Sequence, residues 1–153
     1  MKKSGSALLI VIIFIAISSV LIFNLWYKNS LYLDLVNQQV IYYKHYYLAE
    51  TLFNYAINYT KNNYETIKKS NQNLQYSLNH LIDIINSKFN KNKFENINAY
   101  INFVNLNKQN RIFLNLKLED IINKKNLVNL SCEIEKLNET KYAIKNYNIR
   151  ATV

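Results

Sequence analysis

The side chains able to perform catalysis or bind a metal are few in this chain, and they are scattered. His45 and His80 are the only histidines, and they fall in different predicted helices without a set of neighbouring ligands at a spacing typical of metal sites. Cys132, the only cysteine, lies in an alternation of apolar and polar residues. That setting indicates a buried core thiol rather than a nucleophile, and a single cysteine excludes an intrachain disulfide. We therefore expect no metal site.

Glu133 and Glu135 come nearest to a pair of catalytic carboxylates. Because they lie two residues apart on a predicted strand, they point to the same side, opposite the apolar row, which predicts a solvated face. The sequence has no nucleophile elbow, and Gly5 is its only glycine, so a phosphate-binding loop made by close approach of the backbone is not expected. We expect neither enzymatic activity nor a cofactor.

The formal net charge of +9 suggests an anionic partner, such as nucleic acid or a lipid surface. The lysines are spread along the chain without a dense basic block, which is typical of a compositional bias. Tyrosines at positions 42, 43, 46 and 47 surround Lys44 and His45, and aromatic residues interleaved with bases can stack on single-stranded nucleic acid. Their spacing instead distributes them around most of a helix. We therefore expect packing against other subunits or anchoring at an interface, and no nucleic-acid partner.

The strongest structural signal lies near the N-terminus. From Ala7 to Trp26 there are 20 residues without a charge, and a helix of that length crosses about 30 Å of hydrocarbon. Lys2 and Lys3 precede this run, which places the N-terminus in the cytoplasm and the remainder outside by the positive-inside rule. A cleaved signal peptide is the alternative, although its apolar part is normally only about 7–15 residues long. We predict a transmembrane helix over residues 6–27. Its predicted membrane-anchoring residues are Ala7, Leu8, Leu9, Ile10, Val11, Ile12, Ile13, Phe14 and Trp26.

Gly5 stands between the basic leader Met1-Lys2-Lys3-Ser4 and the apolar helix that starts at Ser6-Ala7-Leu8-Leu9. A short basic leader, a glycine and an uninterrupted apolar helix resemble the processing site of type IV pilins and of type II secretion pseudopilins. The resemblance implies that a prepilin peptidase cuts after Gly5 on the cytoplasmic side, so that residues 1–5 are a leader and Ser6 becomes the new N-terminus. It also implies other pilin or pseudopilin subunits as partners.

The chain departs from the major-pilin pattern at Ile10, the fifth position of the implied mature protein, where that family usually carries Glu. Loss of the carboxylate makes residence in lipid easier and removes a docking contact. The segment Tyr46-Tyr47-Leu48-Ala49-Glu50-Thr51-Leu52 resembles an Ala-Glu-centred stretch of the PilX-type minor pilins. The resemblance is therefore to the minor class, PilX-type minor pilins and K-type pseudopilins. It makes Glu50 a candidate assembly contact, and the simpler interpretation of Glu50 is a solvated helix carboxylate.

Neither Gly nor Pro follows Gly5, so the helix is predicted to continue through residues 28–64, with Asn29-Ser30 as its weakest point. The residues expected to face a globular domain recur at helical spacing, and they are Leu48, Leu52, Tyr55, Ala56 and Tyr59. A polar connector is expected from Thr60 to Asn73. An amphipathic second helix is predicted over about residues 72–89, on the pattern Leu74, Leu78, Leu81, Ile82, Ile85 and Phe89.

The rest of the globular domain, assigned to residues 65–153, changes to a period of two. That period predicts strands over about residues 97–106, 110–119, 127–137 and 141–150. Asn107-Lys108-Gln109-Asn110 suits a tight hairpin in which Asn takes the left-handed conformation. A change of phase between Ile144 and Tyr147 predicts a bulge or a bend. The expected fold class is α+β: a long N-terminal transmembrane helix that continues into a helix packed against a C-terminal antiparallel sheet of about four strands, which is pilin-like.

The sequence thus predicts a minor pilin or pseudopilin-like structural subunit of a type IV pilus or a type II secretion-type filament. Before assembly it is expected in a bacterial inner membrane, as a single-pass protein with an extracytoplasmic domain. The alternative is a single-pass envelope protein whose leader stays attached and whose small periplasmic domain binds a partner. A third hypothesis, DNA capture by a competence-type pilus, predicts strongly salt-dependent DNA binding.

Overall fold

The computed structural model describes residues 3–70, 73–88, 94, 96–106 and 110–151. Its helices are α1 (Lys3–Asn62), α2 (Tyr64–Lys69) and α3 (Asn79–Lys88). Its strands are β1 (Leu74–Ser77), β2 (Ile97–Leu106), β3 (Arg111–Asp120), β4 (Lys125–Lys136) and β5 (Tyr142–Ala151). The fold class is α+β, as predicted, and the chain divides into two compact units, Met1–Ile41 and Tyr42–Val153.

The first helix, α1, is a single helix of 60 residues. No proline interrupts it, so every position retains the amide that an α-helix uses. Asn29-Ser30, the predicted weakest point, is helical. The helix ends at Asn62 because Asn63 leaves the helical region, with φ −114° and ψ 22°, while its side-chain amide donates to the Tyr59 carbonyl at 3.0 Å.

Two predictions for the end of the first helix and the segment after it are wrong. The helix was predicted to end at residue 64, but it ends at Asn62. A polar connector was predicted from Thr60 to Asn73, but much of this segment is helical. Residues 64–69 form the short helix α2, in which Tyr64 and Ile67 are buried. The Tyr64 hydroxyl donates to the carbonyl of Asn110 at 2.5 Å. Tyr64 and Ile67, three residues apart in α2, therefore hold this polar segment on the sheet. Asn71 and Gln72 lie outside the described residues.

The predicted second helix over residues 72–89 is wrong in its first part. Residues 74–77 form β1, in which Leu74 lies opposite Phe103 of β2. Helix α3 begins only at Asn79, although Leu78 and Ile82 of the predicted pattern are both buried. Leu74 matches the helical spacing only by coincidence. Its segment is a strand because β2 supplies hydrogen-bond partners for its backbone groups. Phe89, the predicted last residue of the helix, lies outside the described residues.

The sheet is an antiparallel meander of five strands in the order β1-β2-β3-β4-β5, one strand more than predicted. The predicted bounds of β2 are confirmed, and those of β3, β4 and β5 shift by one or two residues. Asn110 takes the predicted left-handed conformation, with a φ of 52°. The other residues of that predicted turn, Asn107, Lys108 and Gln109, lie outside the described residues.

The core lies between residues 48–60 of α1 and one face of the sheet. Leu116 of β3 and Leu130 of β4 are paired across the strands and fully buried. The buried residues of α1 in this region are Leu48, Ala49, Leu52, Phe53, Ala56, Ile57 and Thr60. Tyr55 and Tyr59, which were predicted to face the domain, are 47% and 39% exposed. The buried face is therefore rotated from the predicted one toward Ala49 and Phe53.

The predicted irregularity in the last strand is a β-bulge. The register between β4 and β5 shifts between Ser131 and Glu133, and Asn146 has a left-handed φ of 52°. One extra residue in β5 moves the following side chains to the opposite face of the strand. Ile144 before the bulge and Tyr147 after it consequently lie on the same face.

Candidate functional site

The predicted processing site lies in the first turns of α1. The helix begins at Lys3, so the peptide bond between Gly5 and Ser6 has a helical backbone. Glycine destabilises a helix interior by about 0.5–1 kcal/mol relative to alanine. Gly5 is the third residue of α1, so it lies in the first turn, where this cost is smaller than in the interior.

The predicted membrane anchor presents its side chains outward. All nine predicted anchoring residues are exposed, and they are Ala7, Leu8, Leu9, Ile10, Val11, Ile12, Ile13, Phe14 and Trp26. Helix α1 is long and apolar enough to cross a membrane, and its most apolar stretch of 18 residues has no buried residue. Exposed apolar surface of this extent is typical of membrane-spanning and protein-binding segments.

Polar side chains within this apolar stretch form hydrogen bonds with the helix itself. The Ser19 hydroxyl donates to the carbonyl of Ile15 at 2.8 Å, and the Asn24 amide donates to the carbonyl of Val20 at 3.0 Å. An unpaired polar group in hydrocarbon is costly, and these backbone contacts reduce that cost. Ser19 and Asn24 are therefore compatible with a lipid environment.

Four tyrosines form a patch of rings on the second unit. The rings of Tyr42 and Tyr46 are stacked at 6.4 Å, as are those of Tyr43 and Tyr47. The rings of Tyr46 and Tyr47 also meet edge-on at 5.8 Å. Tyr43 and Tyr47 are exposed, so one side of the patch remains open. This arrangement favours contact with an apolar or aromatic surface.

The candidate assembly contact, Glu50, lies partly buried near two phenols. Burial raises the pKa of Tyr46 and of Tyr147, and the Glu50 charge adds to both shifts. Glu50 thus lies near Tyr147, the residue that follows the left-handed Asn146 in β5. Among the described residues it forms no ion pair.

His45, His80 and Cys132 lie on three separate elements, α1, α3 and β4. Burial lowers the pKa of His45, Asp120 opposes that shift, and Lys44 adds to it. The Asp120 carboxylate accepts hydrogen bonds from the backbone of Ile122 and from Asn123, so it stabilises the turn after β3. Within the described ranges no group of three or more metal-ligating side chains is found.

Cys132 is a buried core residue, as predicted. It belongs to the inward-facing row of β4 and lies opposite Leu114 of β3. Burial raises the pKa of its thiol to about 12, and the neighbouring Glu133 adds to the shift. The thiol is therefore protonated and shielded at neutral pH, which does not suit a nucleophile.

Glu133 and Glu135 lie opposite the apolar row, as predicted, and on that partly exposed face both form ion pairs. Their side chains are 17% and 21% exposed, and Arg111 contacts both, with its Nη1 3.1 Å from Oε2 of Glu133. Lys145 pairs with Glu135 from the other side. These ion pairs connect the two carboxylates of β4 to Arg111 of β3 and Lys145 of β5.

Concave surfaces occur on both sides of the sheet. A cleft of about 140 Å³ lies between α1 and the β1 edge, where Tyr59 and Tyr76 pack against Phe103 at 6.3 Å and 5.7 Å. A groove of about 380 Å³ on the outer face is lined by polar groups, and its lining residues are Phe113, Asn115, Asn129, Ser131, Asn146, Asn148 and Arg150. The strand pattern placed these side chains outside the core, but which of them are neighbours depends on strand register.

No family model, curated protein or solved structure matches this chain.

Proposed function

We propose that this protein is a minor pilin-like or pseudopilin-like subunit that is held in a membrane by α1 and assembled into a filament through the same helix. The observation that carries the proposal is α1, one uninterrupted helix with an apolar stretch in which no residue is buried. A helix that is apolar on all sides can be covered by lipid and later by other apolar helices. It can therefore serve in turn as an anchor and as the core of a polymer.

The second unit supports the proposal through the order of its elements. Residues 48–60 of α1 contribute buried side chains to the core beside the sheet, which follows later in the chain. A helix first and an antiparallel meander last is the order implied by the resemblance at Gly5. The same side chains that hold the sheet thus belong to the helix that would anchor the subunit.

The proposed assembly surface includes the tyrosine patch and Glu50. Tyr43 and Tyr47 leave aromatic surface open, and Glu50 is not neutralised by a described residue. A carboxylate beside apolar rings suits a cation presented by a neighbouring subunit. This chain has Ile10 where the major pilins usually carry Glu. An assembly contact at Glu50 would supply a carboxylate farther along the same helix.

Processing is tested by expressing the full chain with an active or a catalytically inactive prepilin peptidase and sequencing the N-terminus. We expect a mature chain that begins at Ser6 only with the active enzyme. Gly5→Leu should block the cut, whereas Ser4→Ala, one residue away, should leave it intact. If Met1 is retained while a reference pilin is cut in the same cells, the protein is instead a single-pass envelope protein.

Assembly is tested by shearing filaments from cells that supply the remaining subunits and probing the sheared fraction for this chain. The wild-type chain should be present in that fraction. Glu50→Gln should reduce its amount several-fold, and Glu139→Gln, an exposed carboxylate on the β4–β5 turn, should not. Equal incorporation of both variants would remove Glu50 from the assembly surface, and absence of the wild-type chain would contradict the filament role.

A further inference from the structure

The outer face of the sheet carries a row of uncharged polar side chains across three strands. Asn115 of β3 lies opposite Ser131 of β4, and Ser131 lies opposite Asn148 of β5. These residues line the groove of about 380 Å³, which lies on the face opposite the buried row. Every second side chain of a strand lies on the same face of the sheet. The strand register then places these three side chains next to one another.

Two asparagines that line this groove each have a side-chain oxygen without a partner among the described residues. Oδ1 of Asn115 and Oδ1 of Asn129 are shielded, and neither accepts a hydrogen bond from any other described residue. A buried acceptor without a donor lowers the stability of the fold, and Asn is also a poor strand former. Rotation about the soft terminal torsion of Asn exchanges its oxygen and nitrogen, so each of these amides can present an acceptor to the groove. Both positions therefore suit a ligand that donates hydrogen bonds.

The charges around the groove are positive. Asn129 lies between Lys117 of β3 and Arg150 of β5 in the strand register. Glu133, two residues from Ser131 along β4, forms an ion pair with Arg111 at 3.1 Å. None of the residues that line the groove is acidic. A carboxylate on the ligand would find an arginine able to bind both of its oxygens.

Phe113 supplies an apolar wall at one end of the groove. Hydroxyl donors, a carboxylate and an apolar C–H face occur together in an acidic sugar. We propose that this groove binds a carboxylated oligosaccharide, whose hydroxyl groups donate to Asn115 and Asn129 and whose carboxylate is held by Arg150. This activity goes beyond the proposed subunit role and does not depend on it.

The ligand class is tested by calorimetric titration of the full chain in detergent micelles. The probes are tetragalacturonate, the neutral tetramer maltotetraose, and citrate as a simple multivalent anion. We expect saturable binding of tetragalacturonate, at least about tenfold tighter than maltotetraose, since charge-assisted hydrogen bonds to arginine are lost with the neutral sugar. Absence of binding, equal binding of the neutral tetramer, or full displacement by an equal concentration of citrate would overturn the proposal.

Matched variants locate the site. Asn115→Leu removes an unpaired acceptor, so it should weaken tetragalacturonate binding about fivefold or more while leaving the unfolding temperature unchanged or raised. Asn58→Leu, on the exposed face of α1, should leave binding unchanged.

Arg150→Gln and Lys69→Gln each remove one positive charge from an exposed position. The first should weaken binding at least about tenfold, and the second should have little effect. Equal losses from both charge variants would show that only net charge attracts the sugar, and would overturn the assignment of the groove.

Discussion

The ring of Tyr147 packs edge-on against the ring of Phe53, with centroids 5.7 Å apart and planes inclined by 64°. Phe53 is fully buried on α1, and Tyr147 directly follows Asn146, the left-handed residue of the β5 bulge. The bulge therefore turns the last strand so that its aromatic side chain reaches the helix. This contact joins the last strand of the sheet to α1.

Replacing Tyr147 by alanine tests that contact. The change removes an aromatic pair worth about 0.5–1.5 kcal/mol together with part of the packing, so Tyr147→Ala should lower the free energy of unfolding by about 1–2 kcal/mol. Thermal or chemical unfolding of the full chain in micelles measures it. Tyr55→Ala removes an equally exposed ring of α1 and should cost less. Equal losses would mean that the Phe53 contact adds no specific stability.

Charges placed in the apolar part of α1 should prevent membrane residence. A lysine at the centre of a spanning helix costs about 2.5–3.5 kcal/mol, so Ile13→Lys combined with Ile17→Lys should shift the chain out of the membrane fraction. Ile121→Lys combined with Ile122→Lys alters two exposed residues after β3 and should leave it in the membrane. Carbonate extraction followed by immunoblotting distinguishes the two pairs. Retention of the α1 double variant in the membrane would contradict the anchor.

Acid should destabilise the second unit through Glu135. A hydrogen bond from Lys145 lowers the pKa of Glu135, and Arg111 adds to the shift. Because the folded state favours the ionised carboxylate, this contribution is complete above the ordinary pKa of 4.5 and is lost as the pH falls through the lower folded value. The unfolding temperature should fall over that acidic range, and Glu135→Gln should reduce the dependence. An unchanged pH profile in the variant would show that this ion pair is not part of the acid response.

The buried thiol should be chemically silent in the native protein. Burial raises the pKa of Cys132 to about 12, so iodoacetamide at neutral pH should leave the folded chain unlabelled and label it fully after denaturation. Ser87→Cys, at an exposed position of α3, supplies a control thiol that should react in the folded chain. Mass spectrometry assigns the labelled residue. Rapid labelling of Cys132 in the folded chain would mean that β4 opens readily.

Sequence patterns predicted the longest elements best. The apolar run from Ala7 and the absence of Gly and Pro after Gly5 were sufficient for a long helix, because these are local properties of the chain. The strict alternation in β3 and β4 likewise predicted their inward rows and the burial of Cys132. The segment around Leu74 was misassigned, because four residues are too few to distinguish a helical period from a strand whose hydrogen-bond partners lie in β2.

The polar sites were harder to predict than the core. Glu133 and Glu135 were placed on the correct face, but their sequence neighbours do not include Arg111 or Lys145, which neutralise them. The outer groove was missed for the same reason, because Asn115, Ser131 and Asn148 are distant in sequence. The available signal was the excess of Asn at outward positions of adjacent predicted strands.

By itself, the sequence determined the apolar helix, the alternating strands and the candidate processing site at Gly5, because each depends on residues that are neighbours along the chain. The tertiary structure alone decided the fifth strand, the ion pairs across β3, β4 and β5, the contact between Phe53 and Tyr147, and the outer groove. These features depend on which strands pair and in which register. Pairing is fixed by the joint burial of all the apolar rows against α1, so no single segment encodes it.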